Sequence, residues 1–188
     1  MYLRTHATKQ LYNWIKILRM KSTSKIIIPL VIATLLVFLF LNLNNKKTAP
    51  DLTFTTIEGK PLAMKSLRGK FVVINFWATY CPGCIEEMPD LVSTYKKYHD
   101  AGLEIIAVSI ADDPPNQLLA FTQKNKLPFH VVHDSDEKIS QAFGNIKLTP
   151  TSIIINQDGL IIGKTIGKLD FVNLGNLLNK ALTNKGSK

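Results

Sequence analysis

Cys81 and Cys84 are the only cysteines in the 188 residues, and they lie within the stretch "WATYCPGC", separated by Pro82 and Gly83. A pair at that spacing has three chemical uses: part of a metal site, a short structural disulfide, or a couple that cycles between dithiol and disulfide. Tetrahedral zinc would need two further ligands, and the globular part offers only His99, His130 and His133 as nitrogen donors. In the expected strand "FHVVHD", positions 130 and 133 have opposite parity and point to opposite faces of a sheet, so they do not easily reach one ion. No second Cys-x-x-Cys occurs, and neither a metal nor an organic cofactor is expected. A staple across so short a loop contributes about 2 kcal/mol in the chain-entropy model, too little to organise a domain of this size.

The elements around the pair favour the redox use. The run "KFVVINFW" (70–77), bounded by Gly69 and the cysteine loop, reads as a strand buried on both faces. A helix is predicted to start at Pro82 and run through "IEEMPDLVSTYKKYH", kinked at Pro89 and followed by Gly102. Cys81 then stands at a helix start, where free N–H groups and the dipole favour a thiolate. Cys84, one turn inside, is placed to attack a mixed disulfide formed at Cys81.

The remaining segments continue this alternation. "LTFTTIEGKPLAM" (52–64) alternates around Glu58-Gly59 as a small edge hairpin would. "LEIIAVSI" (103–110) is a second buried strand, followed by the turn cluster "ADDPPN" and a helix near 116–126. "FHVVHD" is a short strand, and "SDEKISQAFG" is a helix closed by Gly144. "TSIIINQDGLIIGKTIG" gives two strands joined at Asp158-Gly159, and a last helix runs from about Asp170 to Leu182. The order βαβαβαββα behind a hairpin predicts an α/β fold, a central mixed sheet with helices on both faces.

Charge divides the chain unevenly. Residues 1–47 hold eight of the 23 Lys and Arg and no acid, which leaves fifteen bases against fourteen acids in the rest. The globular part is therefore nearly neutral and has no uncompensated basic face for a nucleic acid. "IIIPLVIATLLVFLFLNL" (26–43) has only Thr34 and Asn42 as polar residues and predicts one transmembrane helix with Pro29 in its first turn. The run exceeds a signal-peptide core, and no small-residue cleavage site follows in "NLNNKKTAP". Six positive charges precede it, so the N-terminus is expected in the cytoplasm and the globular part outside, whether translation starts at Met1 or at Met20. The organisation expected is a basic N-terminus (1–25), an anchor (26–43), a linker (44–50) and a single domain (51–188).

The segment "NFWATYCPGCIEEMP", with "PDLTFTTIEGKPLAMKSLRGKFVVINFW" before it and "LTPTSIIIN" after it, resembles the thioredoxin fold, in particular the membrane-anchored TlpA/ResA-like thiol-disulfide oxidoreductases. The resemblance covers about residues 50–182. It implies that Cys81 attacks and Cys84 resolves. It further implies that Pro150 is a cis-proline beside the pair and that Thr149 offers backbone bonds to an extended substrate. Trp77 matches the aromatic residue four positions before the first cysteine, and Tyr80 stands where many relatives carry a second tryptophan; both are expected at the substrate surface. Ordinary thioredoxins place a buried Asp at the position of Asn75. In ResA-like proteins an acid at the position of Glu87 is tied to cysteine titration, and the resemblance carries that role to Glu87. Glu86 is expected to face solvent.

The function implied is an anchored reductase of disulfides in exported proteins, such as apocytochrome c in cytochrome c maturation, on the outer or periplasmic side of a bacterial cytoplasmic membrane. A transmembrane thiol-relay donor of the CcdA/DsbD kind would supply electrons. Oxidase activity, thiol peroxidase activity and a non-enzymatic anchored chaperone or metallochaperone remain as alternatives. The peroxidase signature is imperfect, because Thr79 precedes Cys81 by two residues rather than three and no proline lies between 62 and 81.

Overall fold

The structure, a computed structural model, describes residues 27–39 and 47–183. Residues 27–39 form helix α1, with Pro29 in its first turn. No helix among the described residues is long and apolar enough to cross a membrane. Residues 26 and 40–43 of the predicted span lie outside the described residues, as do the basic segment 1–25 and residues 44–46.

The domain begins before Asp51. Lys47 O accepts from Ile161 N at 2.8 Å, Ala49 N donates to Gly159 O at 2.9 Å, and Thr48 bridges Leu160. Residues 47–49, which composition reads as linker, thus supply backbone partners to a sheet edge that would otherwise present open N–H and C=O groups. Such pairing uses no side chain, so it leaves no mark on composition.

From there the chain forms β1 (Thr53–Thr55), β2 (Pro61–Ala63), a 3-10 turn (Met64–Leu67), β3 (Phe71–Trp77), α2 (Pro82–Tyr98), β4 (Leu103–Ser109) and α3 (Pro115–Asn125). It continues through β5 (His130–His133), α4 (Lys138–Ala142), β6 (Thr151–Ile155), β7 (Ile161–Ile166) and α5 (Phe171–Thr183). The main sheet has the order β5-β4-β3-β6-β7. Strand β3 is parallel to β4 and β4 to β5, whereas β6 runs antiparallel to β3 and β7. The β1–β2 hairpin covers the outer edge of β5 through Ile57 N to Val131 O and a bridge from Thr56 to Val132.

Every residue of β3 and β4 is buried, as a strand sandwiched on both faces requires. Alternation divides β3 between two cores. Phe71, Val73 and Trp77 join α2, α3 and α5 through Leu91, Leu118 and Leu174. Val72, Ile74 and Phe76 meet Phe54, Met64 and Phe143 on the other side. Asn75 shares the parity of Val73 and Trp77, so its side chain faces α2.

Helix α4 is shorter than the predicted 135–144. Asp134 accepts from Ile139 N at 2.9 Å and from Ser140 N at 2.7 Å, and Glu137 takes a positive φ of 58° before the first turn. The capping carboxylate therefore starts the helix three residues later than polarity suggests.

Candidate active site

The loop from Ala78 to Cys81 joins the C-terminal end of β3 to α2. Proline at the first helical position needs no N–H partner and has the right φ, so α2 starts cleanly at Pro82. Cys81 is the N-cap, with φ −87° and ψ 109°, and its Sγ accepts from Cys84 N at 3.3 Å. A sulfur here does what a serine or aspartate oxygen does at other helix starts, and the same N–H would stabilise a thiolate. The two cysteines are joined in a disulfide with their Cα atoms 5.3 Å apart. They differ in access: Cys81 is 9 % exposed and Cys84 0 %.

Two further segments converge on this loop. The Thr149–Pro150 peptide is cis, and a Cβ placed on Gly83 would lie 3.6 Å from Pro150 Cδ, so the proline packs directly on the turn between the sulfurs. Pro150 O accepts from Gly167 N at 2.8 Å, which ties the proline loop to the end of β7. Lys168 reaches the same place, with its Cε 3.9 Å from the Gly83 Cβ position, and its ammonium pairs with Glu86 at the surface. Glu86 is exposed, as expected.

The two aromatic residues sit at different depths. Tyr80 is 53 % exposed and donates from its hydroxyl to Asp112 Oδ2 at 2.7 Å. That bond, with smaller contributions from burial and from the charges of Asp112 and Asp113, pushes the Tyr80 phenol up to about 12. Trp77 is fully buried and packs on Phe121, with ring centroids 5.2 Å apart. The indole therefore supports the loop from below and presents no surface of its own, because the odd-numbered face of β3 is closed by α2 and α3.

Beneath the pair lies a polar cluster. Residues Cys84, Glu87, Met88, Leu91, Thr94, Tyr95 and Tyr98 form the buried stripe of α2, so Glu87 is the one acid on a face given to the core. It is 2 % exposed. Glu87 Oε1 accepts from Asn75 Nδ2 at 2.8 Å and Oε2 from Leu169 N at 3.0 Å. Asn75 gives its second amide hydrogen to Ser152 Oγ at 3.0 Å. Asn75, opposite Glu87 across the strand–helix interface, thus acts as a donor to the carboxylate.

Asp113 escaped the sequence reading. Within "ADDPPN" it looks like one more turn-forming acid, yet it is fully buried and accepts from Thr79 N at 3.0 Å, Thr79 Oγ1 and Ser109 Oγ at 2.6 Å. Only the spatial return of β4 beside β3 reveals this, since Thr79 and Asp113 are 34 positions apart. No local signal separates a buried Asp in a turn cluster from a solvated one.

A strand, a capped cysteine pair at a helix N-terminus and a cis-proline against the turn form an arrangement suited to thiol–disulfide exchange. Residues 46–164 match the model of the AhpC/TSA family. The thiol-disulfide oxidoreductase ResA of Bacillus thuringiensis (strain Al Hakam) is 37 % identical over 134 residues, 71 % of this chain and 76 % of the relative. ResA of Halalkalibacterium halodurans is 38 % identical over 114 residues, 61 % of this chain and 64 % of the relative. Among solved structures, a thioredoxin-family thiol:disulfide interchange protein from Chlorobium tepidum aligns with a TM-score of 0.67 at 26 % identity, covering 73 % of this chain and 97 % of that one. StoA from Bacillus subtilis aligns with a TM-score of 0.59 at 25 % identity, covering 68 % and 96 %. The capped Cys-Pro-Gly-Cys pair and these likenesses agree: the chain belongs to the AhpC/TSA family and is a thioredoxin-fold thiol-disulfide oxidoreductase of the ResA type.

Proposed function

We propose that the protein is a membrane-anchored reductase of disulfides in exported proteins, with Cys81 as the attacking and Cys84 as the resolving cysteine. The observation that carries the assignment is the difference in access: Cys81, the N-cap of α2, keeps 9 % of its surface exposed, and Cys84, one turn inside, keeps none. The Cys81 thiolate attacks one sulfur of a substrate disulfide, forming a mixed disulfide and releasing the other substrate sulfur as a thiolate that takes a proton. Cys84, deprotonated, then attacks Cys81 Sγ. The second substrate thiol leaves, and the Cys81–Cys84 disulfide of this structure remains. Two electrons and two protons have passed to the substrate, and an external dithiol must return them.

Thr149 and Pro150 form the ledge on which an extended substrate segment would lie, with Tyr80 and the Lys168–Glu86 pair at its rim. Trp77 acts from beneath by supporting the loop. Glu87 opposes thiolate formation at the pair through its charge. The basic N-terminus and the apolar run 26–43 support an anchor, with the domain outside a bacterial cytoplasmic membrane. Outside the membrane no glutathione-buffered pool supplies electrons, which favours a transmembrane thiol-relay donor of the CcdA/DsbD kind. Among possible substrates the reading favours apocytochrome c, the one that the resemblance to TlpA/ResA-like proteins implies.

The test is covalent trapping in cells. Cys84→Ser should accumulate mixed disulfides between Cys81 and exported proteins, while Cys81→Ser should accumulate few or none. Equal trapping by both variants would overturn the roles. A reduction potential well below that of the exported substrates supports the reductive direction, and one well above it overturns that direction.

A further inference from the structure

Asp113 has no exposed surface and takes no part in the exchange chemistry above. An ionised carboxylate is costly to bury unless donors surround it, so its donors indicate what it is for. Two of its three hydrogen bonds come from one residue, Thr79, through both the main-chain N–H and the hydroxyl. The third comes from Ser109, the last residue of β4. Thr79 lies two positions before Cys81, in the irregular loop that joins β3 to α2.

The neighbouring acid acts in parallel. Asp112 takes the hydroxyl of Tyr80, so two consecutive acids hold the two consecutive residues that lead into Cys81. The two bonds are unequal, because Tyr80 is half-exposed and water competes for its hydroxyl, whereas Asp113 is dry. The Asp113 attachment is therefore the one that fixes the loop to the end of β4.

We propose that Asp113 is a positioning residue for Cys81: by holding Thr79 at the end of β4 it sets where the Cys81 sulfur stands at the N-terminus of α2. The inference rests on the reading of Cys81 as the attacking cysteine. The N–H of Cys84 meets Cys81 Sγ at 3.3 Å, and a loop that drifts by a few tenths of an ångström changes that donation and hence the reactive thiolate fraction. A plain structural anchor would affect stability alone.

The three donors allow the two roles to be separated, since Thr79 and Ser109 present hydroxyls to the same carboxylate from the loop and from the strand. The full-length chain in detergent, reduced and freed of reductant, is alkylated with iodoacetamide across pH, and fragment mass spectrometry identifies the cysteine labelled. Thr79→Val and Ser109→Ala should lower Tm to similar extents. Thr79→Val alone should change the Cys81 rate at neutral pH by about threefold or more, the effect of half a pKa unit. Thr79→Ser, which restores the hydroxyl, should return the rate to that of the unsubstituted chain, and Asp113→Asn should follow Thr79→Val. Equal rate changes in Thr79→Val and Ser109→Ala, no rate change in Thr79→Val, or no recovery in Thr79→Ser would each overturn the proposal while leaving Cys81 as the labelled residue. First labelling at Cys84 in the unsubstituted chain would instead overturn the reading of Cys81 on which the proposal stands.

Discussion

The proposed roles set two influences against each other at the sulfurs: the N-terminus of α2, which favours a thiolate at Cys81, and a carboxylate at the buried Glu87, which would disfavour it. Removing the second should leave the first unopposed. Glu87→Gln is expected to shift the pH dependence of alkylation of the reduced pair to lower pH, followed as the coupled titration of both thiols. Glu86→Gln, which breaks only the surface pair with Lys168, should shift it little. Indistinguishable profiles would make Glu87 an ordinary buried acid. A second titration concerns Tyr80, whose phenol is pushed up to about 12 mainly by its bond to Asp112. Its folded value lies above its unfolded one, so its contribution to stability is present below about pH 10 and is lost as pH rises through the folded value. Asp112→Asn should bring one phenol back toward the ordinary value in a spectrophotometric titration. Tyr95, raised to about 12 chiefly by burial, should not move.

Among the elements, the turn between β6 and β7 makes the sharpest demand on sequence. Gly159 has φ +75°, and a Cβ there would fall 0.8 Å from Arg68 Nη1, which itself donates to Asp158 O at 2.7 Å. Gly159→Ala therefore combines a disfavoured conformation with displacement of the guanidinium and is expected to destabilise by about 1–3 kcal/mol in denaturant unfolding. Arg68→Ala in the same chain should recover part of that loss, and strict additivity in the double variant would refute the steric coupling. Much at this scale is legible in sequence. The apolar runs at 70–77 and 103–110 correspond to β3 and β4 within a residue at their ends, and Pro82 marks the start of α2. The start of α4 was not legible, because Asp134 caps the main chain five and six positions ahead and displaces the helix from where polarity alone puts it.

For the molecule as a whole, charge and hydropathy carry the topological claim. Bases without acids precede residues 26–43, and a nearly neutral domain follows. If that run spans a membrane with the N-terminus inside, a membrane-impermeant thiol reagent should label reduced Cys81 in intact spheroplasts. Labelling only after lysis would reverse the orientation.

By itself the sequence determined the features that depend on neighbours along the chain. Strand runs come from continuous hydrophobicity, the helix start from Pro82, and the redox pair from two cysteines at a helix N-terminus, all effects that act over a few residues. Tertiary structure decided how distant residues meet. It brought Asp113 to Thr79 across 34 positions, Ser152 to Asn75 across 77, Pro150 against Gly83, and the backbone of residues 47–49 to that of 159–161. Asn75 lies between the two cases: parity alone turns it toward the helix packed on that face of β3, but only the docking of α2 sets Glu87 opposite it. Local preference specifies an element and its buried face. Which polar groups must satisfy one another inside is settled only when the elements pack and water leaves.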